Sequence, residues 1–349
     1  MMQRRTLLGL ALLASTPRAR ALPPRTLQFP RDFGSHPDLR TEWWYITGHA
    51  KAGQREFGLQ VTFFRSRIDE ARDMRSAFAA KQLVFAHAAI TDLEGGKLWH
   101  DQRIARAGFG IASASEQDTG LQLRDWRLQR DASGYLANIA AEGFGFELRF
   151  SPTQPLLLQG QAGLSRKGPD PEQASYYYSE PQLATRGSIQ LQGKRFEVEG
   201  TAWLDHEWSE AILHPEAVGW DWIGMNLRDG SALTAFRLRR KDGSALWHGG
   251  SFRSSDGRLR VFASDEVRFT PQHTWTSPRT RAVYPTRWQV ETPAGSFGVR
   301  SLLDDQELDS AGSTGTVYWE GVSDLLDAAG KPVGRGYLEL TGYVQALRM

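Results

Sequence analysis

Apolar and polar residues alternate with a period of two along much of this chain. The clearest stretch is Phe57-Gly58-Leu59-Gln60-Val61-Thr62-Phe63, followed by Leu121-Gln122-Leu123 and Phe144-Gly145-Phe146-Glu147-Leu148. Residues 233–238 and Tyr337-Leu338-Glu339-Leu340 continue the pattern less strictly. A period of two sends successive side chains to opposite faces, so these segments read as half-buried β-strands. Between them lie Glu94-Gly95-Gly96, Ser133-Gly134, Asp229-Gly230, Asp242-Gly243 and Asp256-Gly257. Such pairs supply the positive φ that tight hairpins need. Helical spacing is confined to residues 69–80, a turn or two, and 325–329, a single turn. The expected fold class is all-β, antiparallel, with residues 163–180 forming a long surface loop.

The alternation is absent only at the start. There MMQRRTLLGLALLASTPRARALPP combines Arg4 and Arg5, an apolar run over residues 6–14 and an Ala19-Arg20-Ala21 cleavage pattern. This reads as a signal peptide over residues 1–21, with Arg-Arg ahead of the apolar run suiting twin-arginine export. The run is too short to span a bilayer, so the cleaved protein is expected periplasmic or extracellular, with no stable membrane anchor. The leader also explains the charge. The formal net charge is +2 and the pI about 8.8, which alone would hint at nucleic acid. Residues 1–21 hold four arginines and no acid, so their removal leaves −2 and no basic footprint for nucleic acid. The absence of cysteine excludes disulfides, thiolate metal sites and thiol catalysis.

Residues 22–349 exceed one ordinary β-barrel, so two are expected. A loose internal echo agrees. Glu42-Trp43-Trp44-Tyr45-Ile46 and Trp220-Asp221-Trp222-Ile223 each put an acid among tryptophans ahead of a turn and an alternating strand. The division expected is 22–210 and 211–349.

Three groups of residues carry candidate chemistry: His36-Pro37-Asp38 with Glu42 to Tyr45; Trp203-Leu204-Asp205-His206-Glu207-Trp208 with Gly219-Trp220-Asp221-Trp222; and Tyr284-Pro285 with Tyr318-Trp319-Glu320-Gly321 and the Glu339 segment. An acid among tryptophans either caps a turn beside packing aromatics or lines a desolvated cavity. In the cavity its pKa rises and it acts as a general acid, with Trp faces sheltering a cation. On a strand, Asp205 and Glu207 share one face and His206 takes the other, so one face is expected in a cavity and the other in a structural pair. No G-x-S-x-G elbow, G-x-G-x-x-G loop or H-E-x-x-H pair occurs. His206, Glu207 and His214 make at most a weak metal set, and no metal or other cofactor is expected. Glycoside cleavage by paired carboxylates and a surface glycan-binding platform are the other readings of acids beside tryptophans.

Together these segments resemble the family that unites AttH-type secreted hydrolases with carotenoid 1,2-hydratases. The resemblance rests on Glu42-Trp43-Trp44-Tyr45-x-Thr47-Gly48, Phe85-Ala86-His87-Ala88-Ala89, Gly200-x-Ala202 to Trp208, Gly219 to Trp222, Tyr284-Pro285, Tyr318 to Gly321 and Gly336-Tyr337-x-Glu339-x-Thr341-Gly342-Tyr343. It is nearer the AttH branch and implies two lipocalin-like barrels in tandem, each able to hold an apolar ligand in its mouth. It also implies catalysis by an Asp-His pair and a Trp-rich strand, here Asp205, His206, Asp221 and Trp222. Glu42, Trp43, Trp44, Tyr45, His87, Trp203, Glu207, Trp220, Tyr284, Trp319 and Glu320 would contact the ligand. Glu207-Trp208 and the placing of Asp221 between two tryptophans depart from the hydratases. The function expected is acid-catalysed, hydratase-like work on an isoprenoid, polyene or lipid-like ligand. The alternative is a periplasmic lipid carrier beside an ABC-type permease.

Overall fold

The computed structural model describes residues 21–347, so all of the expected leader but its last residue lies outside the described residues. Among these, the regular structure is β except for two single-turn 3-10 helices, Arg31–Phe33 and Asp69–Ala71. The second is all that forms in the 69–80 stretch. No helix forms at 325–329, because the strand Thr316–Leu326 runs through Leu325 before turning.

The strands form two antiparallel sheets, of thirteen and ten strands. Strands between Thr41 and Ala211 build the first and strands between Gly219 and Leu340 the second, the two lipocalin-like barrels in tandem, the first nearly closed. Both use one plan, in which the first strand pairs with the last. Thr41–Ala52 lies beside Lys194–Ala211, and Gly219–Leu227 beside Pro332–Leu340. The Trp-rich segments of the internal echo are these two opening strands. Asp229-Gly230 and Asp242-Gly243 turn hairpins with Gly at φ 90° and 83°, a region costly for residues carrying a Cβ.

Residues 163–180 are not one long loop. Ala174–Leu191 is a central strand of the first sheet, and Tyr176, Tyr177 and Tyr178 are buried in it. Three successive aromatics are strong strand formers whose hydroxyls find partners here, and packing overrides the polar composition around them.

Alternation decides which residues face which space. Trp44, Ile46, Val61, Phe63, Val84, Ala86, Leu204 and Trp208 point into the first barrel, whose interior is filled by large side chains including Trp126, Tyr135 and Phe150. Ile223, Met225, Ala235, Trp319, Leu338 and Leu340 fill the second. The intervening residues on the same strands point the other way. They make a third apolar cluster, with Tyr45, Trp203, Trp222, Phe236 and Tyr337, where the outer faces of the two sheets meet.

Candidate active site between the barrels

The cavity that collects the candidate residues, about 330 Å³, lies at this junction and not in the mouth of either barrel. Its walls are cross-strand rows. On the first sheet, Tyr177, Glu207, Trp43, Phe64, Phe85 and Ile104 stand abreast on successive strands. One step along, Ser179, Asp205, Tyr45, Thr62 and His87 make a second row. On the second sheet the facing row is Phe236, Trp222, Glu339 and Glu320. Residues abreast on one face have Cβ atoms about 5 Å apart, so each row is a continuous surface.

Asp205 is 3% exposed and accepts three hydrogen bonds: Tyr177 Oη to Oδ2 at 2.7 Å, Ser179 Oγ to Oδ1 at 2.5 Å and Trp203 Nε1 to Oδ1 at 2.6 Å. Burial dominates over these donors and pushes its carboxyl up to about 7. Glu207 is paired instead, with Lys167 Nζ at 2.8 Å and the Ser175 hydroxyl. Lys167 Nζ also sits 4.3 Å from the Phe236 ring centre and 4.5 Å from that of Tyr177. Glu320 and Glu339 are direct cross-strand partners. Burial, then the charge of Glu339, drives Glu320 well above the carboxylate range, and burial pushes Glu339 up to about 7. One oxygen of Glu320 and the Tyr45 hydroxyl lie close to each other without a well-aligned hydrogen bond.

His87 joins the sheets at the cavity edge. Its Nδ1 is 2.9 Å from Tyr318 Oη and its Nε2 2.8 Å from Ser313 Oγ. Burial pushes its imidazole down to about 3, and no carboxylate supports it. A base that weak does not activate Ser313, so the trio reads as a neutral tie between the sheets.

Trp43, Tyr45, His87, Asp205, Glu207, Trp220, Trp222 and Glu320 thus line the cavity, with Trp203 behind Asp205. The other expected site residues lie elsewhere. His206 is on the far face of its strand, inside the first barrel, where Nε2 donates to Glu42 Oε1 at 2.9 Å and the ring stacks on Trp44. Burial holds its imidazole down at about 4. Against its own burial, hydrogen bonds from His206 and His36 hold Glu42 below the usual carboxylate range. Asp221 faces the interior of the second barrel, bound by Arg237 Nε at 2.5 Å, Arg239 Nε at 3.2 Å and Tyr343 Oη at 2.8 Å. Trp319 and Tyr284 are core residues of that barrel. Neither His206 nor Asp221 can therefore act on a ligand in this cavity, and alternation is the reason: each is one residue out of phase with the cavity face.

The set His206, Glu207 and His214 does not assemble, since His206 and Glu207 take opposite faces and His214 pairs with Asp170. His36, Glu42 and His206 do converge. There Glu42 Oε1 already accepts from both imidazoles, and Oε2 from Arg65 Nε at 2.9 Å. A cation there would share its carboxylate with the buried Arg65 guanidinium, whose like charge opposes it, so the cluster fits a polar core network.

Sequence reasoning missed Lys167, Tyr177, Ser179, Phe236 and the pairing of Glu339 with Glu320. Three consecutive tyrosines, strong strand formers, are the signal that would have found Tyr177, and alternation in Tyr337-Leu338-Glu339-Leu340 the one that puts Glu339 opposite the core leucines.

No curated protein matches the sequence. Among solved structures, a crystal structure of a candidate AttH from Nitrosomonas europaea is 49% identical, covering 93% of this chain and 99% of its own, with a TM-score of 0.87. Kievitone hydratase from Nectria haematococca shares the fold at 16% identity, 86% and 88% coverage and a TM-score of 0.68. CghA, solved with Sch210972, does so at 13% identity, 87% and 89% coverage and 0.51. The AttH-like family matches residues 20–343, nearly the whole chain, and the chain belongs to that family.

Proposed function

We propose that this is an exported protein whose inter-barrel cavity binds a largely apolar ligand and adds water across a carbon–carbon double bond in it. The observation that carries this reading is Asp205, a buried carboxyl on an aromatic wall whose pKa of about 7 lets it hold a proton at neutral pH. In the proposed step the π pair takes the Asp205 proton to form a C–H bond, leaving a cation on the neighbouring carbon. Trp43, Trp220 and Trp222 line the space where that charge develops and stabilise it with their ring faces. Water adds to the cation and returns one proton to Asp205, so alkene and water become an alcohol and the acid is restored. None of this chemistry calls for a metal or an organic cofactor. Kievitone hydratase, a fold relative, is named for a hydration, which supports the reading by analogy alone.

The test starts from the ligand that co-purifies with the protein from its native host, identified by mass spectrometry. Incubated with the protein in ¹⁸O-labelled water, it should gain the mass of one labelled water, and Asp205→Asn should bind it without that gain. Binding with no gain by either protein would favour the alternative, a lipid carrier serving an ABC-type export system. Label incorporation by Asp205→Asn at the wild-type rate would remove Asp205 as the acid.

A further inference from the structure

Glu320 and Glu339 do not fit a purely apolar ligand. They face each other across neighbouring strands, Glu320 2% exposed and Glu339 partly buried, and like charges so placed repel. The cavity's one lysine, Lys167, is engaged with Glu207. One Glu320 oxygen and the Tyr45 hydroxyl, both enclosed and close to each other, form no well-aligned hydrogen bond, although buried polar atoms nearly always make one. Trp222 stands beside Glu339 in the same row, and Tyr45 and Trp220 also border the space. Paired carboxylates among aromatic faces are the chemistry that recognises an ammonium group. The carboxylates accept its N–H donors and the ring faces attract its charge.

We propose that the cavity's ligand carries a protonated amine, seated between Glu320 and Glu339, on an apolar body that lies along Trp43, Phe64 and Phe85. This rests on the reading of the inter-barrel cavity as the ligand site, and it names the chemical class that the cavity takes. Without ligand the carboxyl pair retains protons. The ammonium replaces them, so binding releases protons to solvent, whereas a neutral ligand of the same shape leaves them in place.

Octylammonium and 1-octanol, nearly isosteric and differing in charge, separate the outcomes when titrated calorimetrically at pH 7.5 in two buffers of different ionisation enthalpy. Octylammonium should bind at least ten-fold tighter than octanol, tighten further from pH 6 to 8 and release protons. Glu320→Gln and Glu339→Gln should each abolish that preference and the proton release while leaving octanol binding within two-fold. Both variants are near-isosteric, near-ultraviolet circular dichroism checks their folding, and the wild-type comparison needs neither. Equal binding of the two probes by the wild-type protein would overturn the amine and leave the cavity as an apolar site. An ammonium preference that survives both substitutions would also overturn it, since the charge would then be recognised elsewhere. No binding of either probe would overturn the cavity as ligand site and the amine with it.

Discussion

Replacing Asp205 by asparagine should make the protein more stable at alkaline pH and not at acid pH. An unfolded aspartate ionises near 3.8, whereas burial holds the folded carboxyl protonated up to about 7. Between these values the folded state binds more protons than the unfolded state, so stability falls as pH rises through that window. Above pH 7 the loss is complete. A difference of about 3 units corresponds to roughly 4 kcal/mol, an upper figure because water penetration and relaxation reduce it. Asparagine has no charge to desolvate. Its amide oxygen can still accept from Ser179 and Trp203, and its NH2 can donate to the Tyr177 oxygen, so the packing cost is small. Urea unfolding of both proteins, followed by tryptophan fluorescence from pH 4 to pH 8.5, reads this group together with the smaller response of Glu339, which feels the Asp205 charge. The variant should be equal or slightly weaker at pH 4 and gain about 2–4 kcal/mol by pH 8. A stability difference flat across that range would mean that Asp205 ionises in the folded protein as it does in water, and the general-acid mechanism would fail with it.

Asp221→Asn should act in the opposite sense, through the fold. It leaves the buried Arg239 and the partly buried Arg237 short of their counter-charge, and should cost about 3–5 kcal/mol in unfolding experiments. Ligand affinity of the protein that remains folded should be unchanged, and a selective loss of turnover would refute the structural assignment. His87→Leu removes hydrogen bonds to Tyr318 and Ser313 and should cost about 1–3 kcal/mol at pH 8. Because folded His87 resists protonation down to about 3, the unfolded state takes up its proton first as pH falls below 6.5, and wild-type stability drops. The gap between variant and wild type should therefore narrow by up to about 2 kcal/mol at pH 5, and a constant gap would show that His87 titrates normally.

The period-two pattern and the X-Gly turns carried the all-β architecture, because strand faces and hairpin twists are local properties. The same local reasoning placed Asp205 and Glu207 on one face and His206 on the other. It could not say which face met a ligand. Lys167, Tyr177 and Phe236 come from segments that are far apart in sequence and meet only when two sheets dock, and a single chain reading holds no trace of that docking. The Tyr176-Tyr177-Tyr178 run falls within the expected loop, because the Gly, Pro and Asp residues before it give the whole segment the composition of one.

The barrel interiors are filled, and the physical reason also forms the cavity between them. Trp44, Trp126, Tyr135, Phe150, Tyr178 and Trp208 are all fully buried and fill the first barrel, and Trp288 and Trp319 do the same in the second. Strands with aromatics at consecutive positions, such as Trp43-Trp44-Tyr45, cannot bury all of them in one interior, since alternate side chains leave by the other face. Two such strands, one per sheet, therefore expose apolar outer faces that become stable by packing on each other. Carboxyls carried on those faces are desolvated by the docking itself. On this argument the acid strength of Asp205, Glu320 and Glu339 is a property of the interface between the barrels. A substitution that loosens the junction, such as Trp222→Ala, should then lower all three pKa values together and leave the Glu42–His206 network inside the first barrel untouched. Carboxyl titrations followed by NMR would read both halves of that outcome, and a shift confined to Glu339, which stands beside Trp222, would show that burial there is local and not shared.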